Sequence, residues 1–252
     1  MIRKMALLLA LAVPSLAQAA PLPVDPLGSP MWEFHARRLF GTAPVVFDDK
    51  VVVRMPEIAE NQRIFPVTVD ARGLSDVERI VIFADLNPIS VAVDYAPIAA
   101  GAYISTRIKL DQRTPVRAAV LTRDGTWHIG GSWIDAAGGG CSAPPVSRVK
   151  GDWADHLGEA RAAVWSQSDG QVRLRLTFRH PMDTGLVENI AAYNIERLVI
   201  RSADGKPLGQ MQVYGSVSED PAFTLLMRDT GTPIAFSATD SAGLVFSGHA
   251  AR

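Results

Sequence analysis

Cysteine is almost missing from this chain. Cys141 is the single one in 252 residues, so no internal disulfide can form and no Cys-x-x-Cys pair exists to hold zinc or attach haem. The five histidines, His35, His128, His156, His180 and His249, lack the short spacings that bring two ligands onto one metal. A Gly-x-Ser-x-Gly elbow, a phosphate-binding loop and a dinucleotide fingerprint are all absent. No metal and no cofactor are therefore expected. Net charge is lacking too: 25 basic against 26 acidic residues leave −1, and without a basic excess nucleic acid is not an expected partner. After the N-terminus no apolar run approaches the length of a membrane span, so no membrane partner is expected either.

At the N-terminus, basic Arg3 and Lys4, an apolar stretch over residues 5–13 and the small-residue site Ala17-Gln18-Ala19 read as a secretory signal peptide, residues 1–19. Pro21 favours cleavage after Ala19 over cleavage after Ala20. Export, most simply to a bacterial periplasm, would place Cys141 in an oxidising compartment. An unpaired cysteine there has to be shielded, joined to another molecule, or kept reactive.

Ser29-Pro30 followed by residues 31–41, with Gly41 at the end, predicts one short helix. Trp32, His35, Ala36, Leu39 and Phe40 share one face at helical spacing, a face suited to lying across a sheet. From residue 45 the pattern changes to short β-branched runs at 45–55, 65–69, 79–84, 90–95, 103–110, 116–122 and 126–133. A second series follows at 160–165, 172–178, 198–201, 209–214, 223–227, 234–238 and 244–247. Arg123-Asp124-Gly125, Ser168-Asp169-Gly170 and Ala203-Asp204-Gly205 mark hairpins. Val172, Leu174, Leu176 and Phe178 interleave with Arg173, Arg175, Thr177 and Arg179, so one face of that strand is core and the other meets solvent or a partner. The fold expected is all-β: two tandem immunoglobulin-like β-sandwiches, residues 30–134 and 146–252, with one short N-terminal helix. Pattern alone does not separate a sandwich from a small barrel.

Between them, residues 135–145 form a Gly-rich arm and linker. Gly138, Gly139 and Gly140 precede Cys141, and Pro144-Pro145 stiffen the exit. Glycines bury no side chain and lose much entropy on ordering, so the segment reads as a mobile arm presenting a thiol. Its contour of ~35 Å, tied at both ends, would let the tip project ~18 Å. No basic residue lies within five positions of Cys141, and the thiol is expected near its free pKa of ~8.5. The two Asp-Thr-Gly triplets, at Asp183 and Asp229, invite comparison with aspartic proteases, but they lie 46 positions apart, the second is flanked by Arg228 and Thr232, and both read as turns. Trp127, His128 and Trp133 read as ordinary strand residues.

The Gly138-Gly139-Gly140-Cys141 arm, together with His180-Pro181-Met182-Asp183-Thr184-Gly185-Leu186, resembles the SoxYZ sulfur-carrier family, specifically a fusion of its two subunits, from about residue 30 to the end. Asp220-Pro221 and residues 240–243 extend the likeness. The resemblance implies a sandwich whose arm cysteine, here Cys141, carries sulfur-oxidation intermediates covalently, and a second sandwich bearing a His-Pro-Met-x-Thr-Gly motif. That motif maps to His180, Pro181, Met182, Thr184 and Gly185, which take a turn-forming role. In dedicated carriers the cysteine ends the chain between glycines; here Ser142-Ala143-Pro144-Pro145 follow it. The Gly-Gly-Cys-Ser form is similar to fused proteins that accompany quinoprotein alcohol dehydrogenases and their cytochromes. Implied partners are periplasmic oxidoreductases: a quinoprotein dehydrogenase, a c-type cytochrome or sulfur-oxidising enzymes. The expected role is a non-enzymatic covalent carrier. An accessory subunit with a dispensable cysteine and a redox sensor forming intermolecular disulfides stay open beside it.

Overall fold

The structure, a computed structural model, describes residues 21–167, 169–229 and 231–250; the signal-peptide reading lies outside them. Among the described residues no helix is long and apolar enough to cross a membrane. The chain is all-β. Helix α1 (Trp32–Phe40) is followed by β1 (Val45–Phe47), β2 (Val52–Arg54), β3 (Ile58–Ala59), β4 (Phe65–Asp70), β5 (Val77–Ala84), β6 (Val91–Ala96), β7 (Ala100–Ile108), β8 (Thr114–Thr122) and β9 (Trp127–Ala136). A five-residue helix α2 (Val146–Lys150) then leads into β10 (Ala160–Ser166), β11 (Gln171–Phe178), β12 (Ile195–Ser202), β13 (Pro207–Val213), β14 (Ala222–Arg228), β15 (Ile234–Asp240) and β16 (Val245–Ala250).

The immunoglobulin-like halves do not stand apart. One sheet runs β1-β9-β8-β5-β6-β13-β12-β15-β16, with β3 paired to β9; the other runs β10-β11-β14-β7-β4-β2. Antiparallel β6–β13 and β7–β14 pairings carry both sheets across the boundary. The two tandem halves thus meet through these strands as well as through residues 137–145: edge strands that would otherwise present unpaired backbone groups satisfy one another. The larger apolar core therefore spans both halves, with Tyr95 and Ile104 from the first clustered with Met211 and Leu225 from the second.

Local pattern explains the layers. On β11, Val172, Leu174, Leu176 and Phe178 are buried while Arg173 and Arg175 are exposed, the period-two alternation of a half-covered sheet. Strand β8 is buried on both faces save Leu121 because α1 covers its outer side. Trp32, Ala36 and Phe40 of that helix pack on Val81, Phe83, Ala119, Trp127 and Ile129, the face that helical spacing predicts. Beneath it lies a fully buried Arg117, paired with Asp25 at 2.8 Å and Asp85 at 3.0 Å, which ties residues 21–29 to the sheet. The single strand expected over 45–55 breaks into β1 and β2, because Asp48 accepts from the backbone N–H groups of Lys50 and Val51 and turns the chain.

Candidate functional site

Residues 137–145 are not a free arm. Gly139 and Gly140 donate backbone N–H bonds to the carbonyls of Asp111 and Leu110 at 3.3 and 3.0 Å. Gln62 Nε2 donates to the Gly138 carbonyl at 2.7 Å, and Arg63 Nη1 to the Pro144 carbonyl at 3.1 Å. Asp111 Oδ1 accepts from Cys141 N, Ser142 N and Ser142 Oγ at 3.0, 3.1 and 3.0 Å. The glycines serve close approach as much as freedom. A Cβ on Gly140 would lie 2.4 Å from both the Gln62 and Leu110 carbonyl oxygens, and Gly138 and Gly139 take positive φ angles of 103° and 81°.

Cys141 is therefore buried, at 1% exposure, where the sequence predicts a presented thiol. Burial pushes its pKa up to about 12; nearby Lys109 pulls it down and Asp111 pushes it further up. The expected near-free value is corrected for that reason: loss of solvent around the sulfur disfavours the anion.

The far wall comes from the second half. Thr184 Oγ1 donates to the Cys141 carbonyl at 2.7 Å and accepts from Leu186 N at 3.2 Å. Met182 is fully buried with φ +51°, and its carbonyl accepts from Lys109 Nζ, which also reaches the Gly215 carbonyl at 2.9 Å. Burial lowers the Lys109 pKa to about 8, against the pull of Cys141, Asp183 and Glu219. His180 Nδ1 accepts from Met182 N at 3.0 Å, which leaves the proton on Nε2, 3.5 Å from Asp240 Oδ2. Burial lowers the His180 pKa to about 4, with Asp240 opposing. Gly185, at φ +77°, closes the turn where a Cβ would sit 3.1 Å from Ala192. Pro181 lies between His180 and Met182, and is likewise buried.

The exit is also fixed. Glu219 accepts from the N–H groups of Val146 and Ser147 at 2.7 Å each, capping α2. Arg148 pairs with the buried Asp183, and its guanidinium sits 3.7 Å from the centre of the Trp153 ring. The structure thus brings Gly138, Gly139, Gly140 and Cys141 together with Met182 and Thr184. It leaves His35, His128, His156 and His249 elsewhere; His128 bonds Asp48 at 2.8 Å. Asp183 and Asp229 lie toward opposite ends of β14: the His180 carbonyl accepts from Asp220 N before that strand, and Asp229 N bonds Gly170 beyond it. Lys109, Asp111, Gln62 and Glu219 escaped the sequence reading. The one local signal is a lysine and an aspartate alternating with Ile108 and Leu110 at the end of an apolar strand.

With this geometry in view, family models match twice: sulfur oxidation protein SoxY over residues 36–141 and sulphur oxidation protein SoxZ over residues 160–251. The chain is a fused SoxYZ-like protein. Its SoxY match ends on Cys141 itself. Among solved structures, it is similar to the sulfur carrier protein SoxY from Chlorobium limicola f thiosulfatophilum, at 19% identity and TM-score 0.37, over 42% of this chain and 96% of that one. The FN1–FN3 domains of chicken CNTN1 align over 83% of this chain and 69% of theirs, at 11% identity and TM-score 0.24. No curated protein sequence matches.

Proposed function

We propose that this SoxYZ-like chain is an exported, periplasmic and non-enzymatic carrier whose Cys141 sulfur holds a small sulfur-containing adduct and presents it to partner oxidoreductases. The observation that carries the reading is the position of Cys141. It is the chain's lone cysteine, at the last residue of the SoxY match, and its backbone carbonyl is gripped by Thr184 of the SoxZ match. In this reading the structure is the closed state. The thiol is neutral and covered, and delivery requires residues 137–145 to leave Asp111 and Thr184. A thiol quiet in solution and exposed only at a partner suits an oxidising compartment, where an open cysteine would be consumed. The partner belongs to the sulfur-oxidising enzymes or, following the Gly-Gly-Cys-Ser form of the arm, to a quinoprotein dehydrogenase system.

Intact-protein and peptide mass spectrometry of protein purified without reductant from its native compartment tests this. The expected result is an added mass on the Cys141 peptide that dithiothreitol removes. Unmodified thiol under every growth condition would overturn it.

The burial of Cys141 favours one second reading, an accessory subunit in which the cysteine is a packing residue. Replacing Cys141 with Ser separates the two: full retention of partner-dependent activity supports the accessory role, and its loss supports the carrier.

A further inference from the structure

The solvent face of the six-stranded sheet carries a charge pattern that neither the fold nor the carrier site uses. Strands β10, β11 and β14 contain Arg161, Arg173, Arg175 and Arg228, all exposed, and no Asp or Glu, in a chain whose acids and bases nearly balance overall. Register places them on one face. Trp165 lies opposite Arg173, and Arg173 opposite Leu226; Ala163, Arg175, Thr224 and Ser105 form the next row. Among the described residues no carboxylate lies within ion-pair distance of Arg161, Arg173 or Arg175. Arg107 is crowded by Arg175 and partly buried, and its Nε has no hydrogen-bond partner.

Trp165, 41% exposed on the outermost strand, is stacked under the Arg173 guanidinium at 4.8 Å. Arginine and tryptophan are the side chains that most often dominate binding energy at protein interfaces, and a stacked pair loses little rotamer freedom on docking. From Arg173 to Arg179 the row runs ~20 Å along the strand, the scale of a small, transient interface.

We infer that this arginine face is a docking surface for an acidic patch on a partner protein. The rim argues for discrete carboxylates over a continuous polyanion. Arg179 already pairs with Asp220, and Glu159 sits beside Arg161 and Arg179, so a nucleic-acid backbone or an anionic bilayer pressed across the face would meet these acids. The face also adjoins the Cys141 segment. Asp220 pairs with Arg179 while its neighbour Glu219 caps α2, the helix that follows Pro145. A partner seated on the arginines thus lies next to the thiol's cover, and the surface has this use whether Cys141 carries cargo or only packs.

The test uses the full chain in its native host, with the aromatic photo-crosslinker p-benzoyl-phenylalanine at Trp165, which keeps a ring for Arg173 to stack on, and, as a control on the other sheet, at Glu196. Expected is a cross-link from position 165 to one protein, identified by mass spectrometry. It should fall at least about tenfold in Arg173→Glu/Arg175→Glu, weaken in 0.5 M salt extracts as close charge pairs do, and return when the partner's facing carboxylates become lysine. An unchanged melting temperature and a parallel Arg173→Gln/Arg175→Gln variant separate lost docking from lost folding. No cross-link at 165, equal cross-linking at 196, survival of the charge reversal, or a nucleic acid or lipid as the captured species would each overturn the inference. The Cys141→Ser variant is expected to keep the cross-link, so a failed adduct search and a failed docking surface give different results.

Discussion

If residues 137–145 are a latch over Cys141, loosening the latch must raise thiol reactivity without unfolding the protein, and Asp111→Ala is the sharpest perturbation. One carboxylate oxygen holds Cys141 N, Ser142 N and Ser142 Oγ at 3.0–3.1 Å. Hydrogen bonds to a charged acceptor contribute about 1.5–3 kcal/mol each. Because the three share one oxygen and two of them are exposed, about 3 kcal/mol is a reasonable total, equivalent to roughly a hundredfold in the opening equilibrium. In the closed state a thiol with a pKa near 12 is ionised to about one part in ten thousand at pH 8, roughly two thousandfold less than a free thiol titrating at ~8.5. Reaction must then pass through opening, and the rate reports the open fraction. The assay is maleimide labelling at pH 8, followed by intact mass, against N-acetylcysteine. Wild type is expected to label at least about a hundredfold more slowly than the free thiol, with Asp111→Ala recovering most of the gap in a protein that stays folded at the assay temperature, its melting temperature lowered by no more than the roughly 6–12 °C that about 3 kcal/mol produces in a chain of this size. Gly140→Ala, whose added Cβ would collide with two carbonyls, should move the rate the same way. Wild-type labelling as fast as N-acetylcysteine, or two variants no faster than wild type, would refute the latch.

Two further outcomes concern stability. His180 has a folded pKa near 4 against 6.5 when free, so the unfolded chain takes up its proton first. The stability this histidine allows is complete above pH 6.5 and falls as pH drops to 4, by about 3 kcal/mol at most. His180→Asn, which keeps an acceptor for Met182 N, should flatten a plot of urea midpoint against pH between 4 and 6.5; an unchanged slope would show that His180 does not titrate in that window. Replacing Arg117 with Met strands the buried carboxylates of Asp25 and Asp85. Losing one partner of a buried ion pair costs about 3–5 kcal/mol, and a urea midpoint within error of wild type would sink the account of that cluster.

What could be read from the chain was what local pattern encodes. Alternation on β11 and the apolar stripe of α1 each reflect one element meeting one surface, and both appear in the structure where the spacing places them. The β6–β13 and β7–β14 pairings were hidden, since a strand's sequence does not say which distant edge will complete it. Glycine misled in a specific way. Three in a row imply freedom when taken alone, yet Gly140 fits here because no larger residue could pass between the Gln62 and Leu110 carbonyls. Lys109 and Asp111 line the thiol from the connection after β7, about thirty residues upstream, and Glu219 fixes the exit from more than seventy downstream. No motif links such positions until the fold brings them together.

These contacts also set what a partner must do in the carrier reading. With Asp111 alone favouring the closed latch by about 3 kcal/mol, fewer than one molecule in a hundred is open, and a partner binding both states equally would change nothing however tightly it held. It must gain contacts in the open state that the closed state denies. The arrangement around β14 offers a route. Arg179 is held by Asp220, Asp220 is joined by one peptide bond to Glu219, and Glu219 grips the backbone immediately after Pro145. A partner carboxylate that takes Arg179 releases Asp220 and removes one of the restraints that keeps Glu219 in place. Docking energy from the arginine face would then be spent where the cover over Cys141 is anchored, which couples arrival of the partner to exposure of the sulfur.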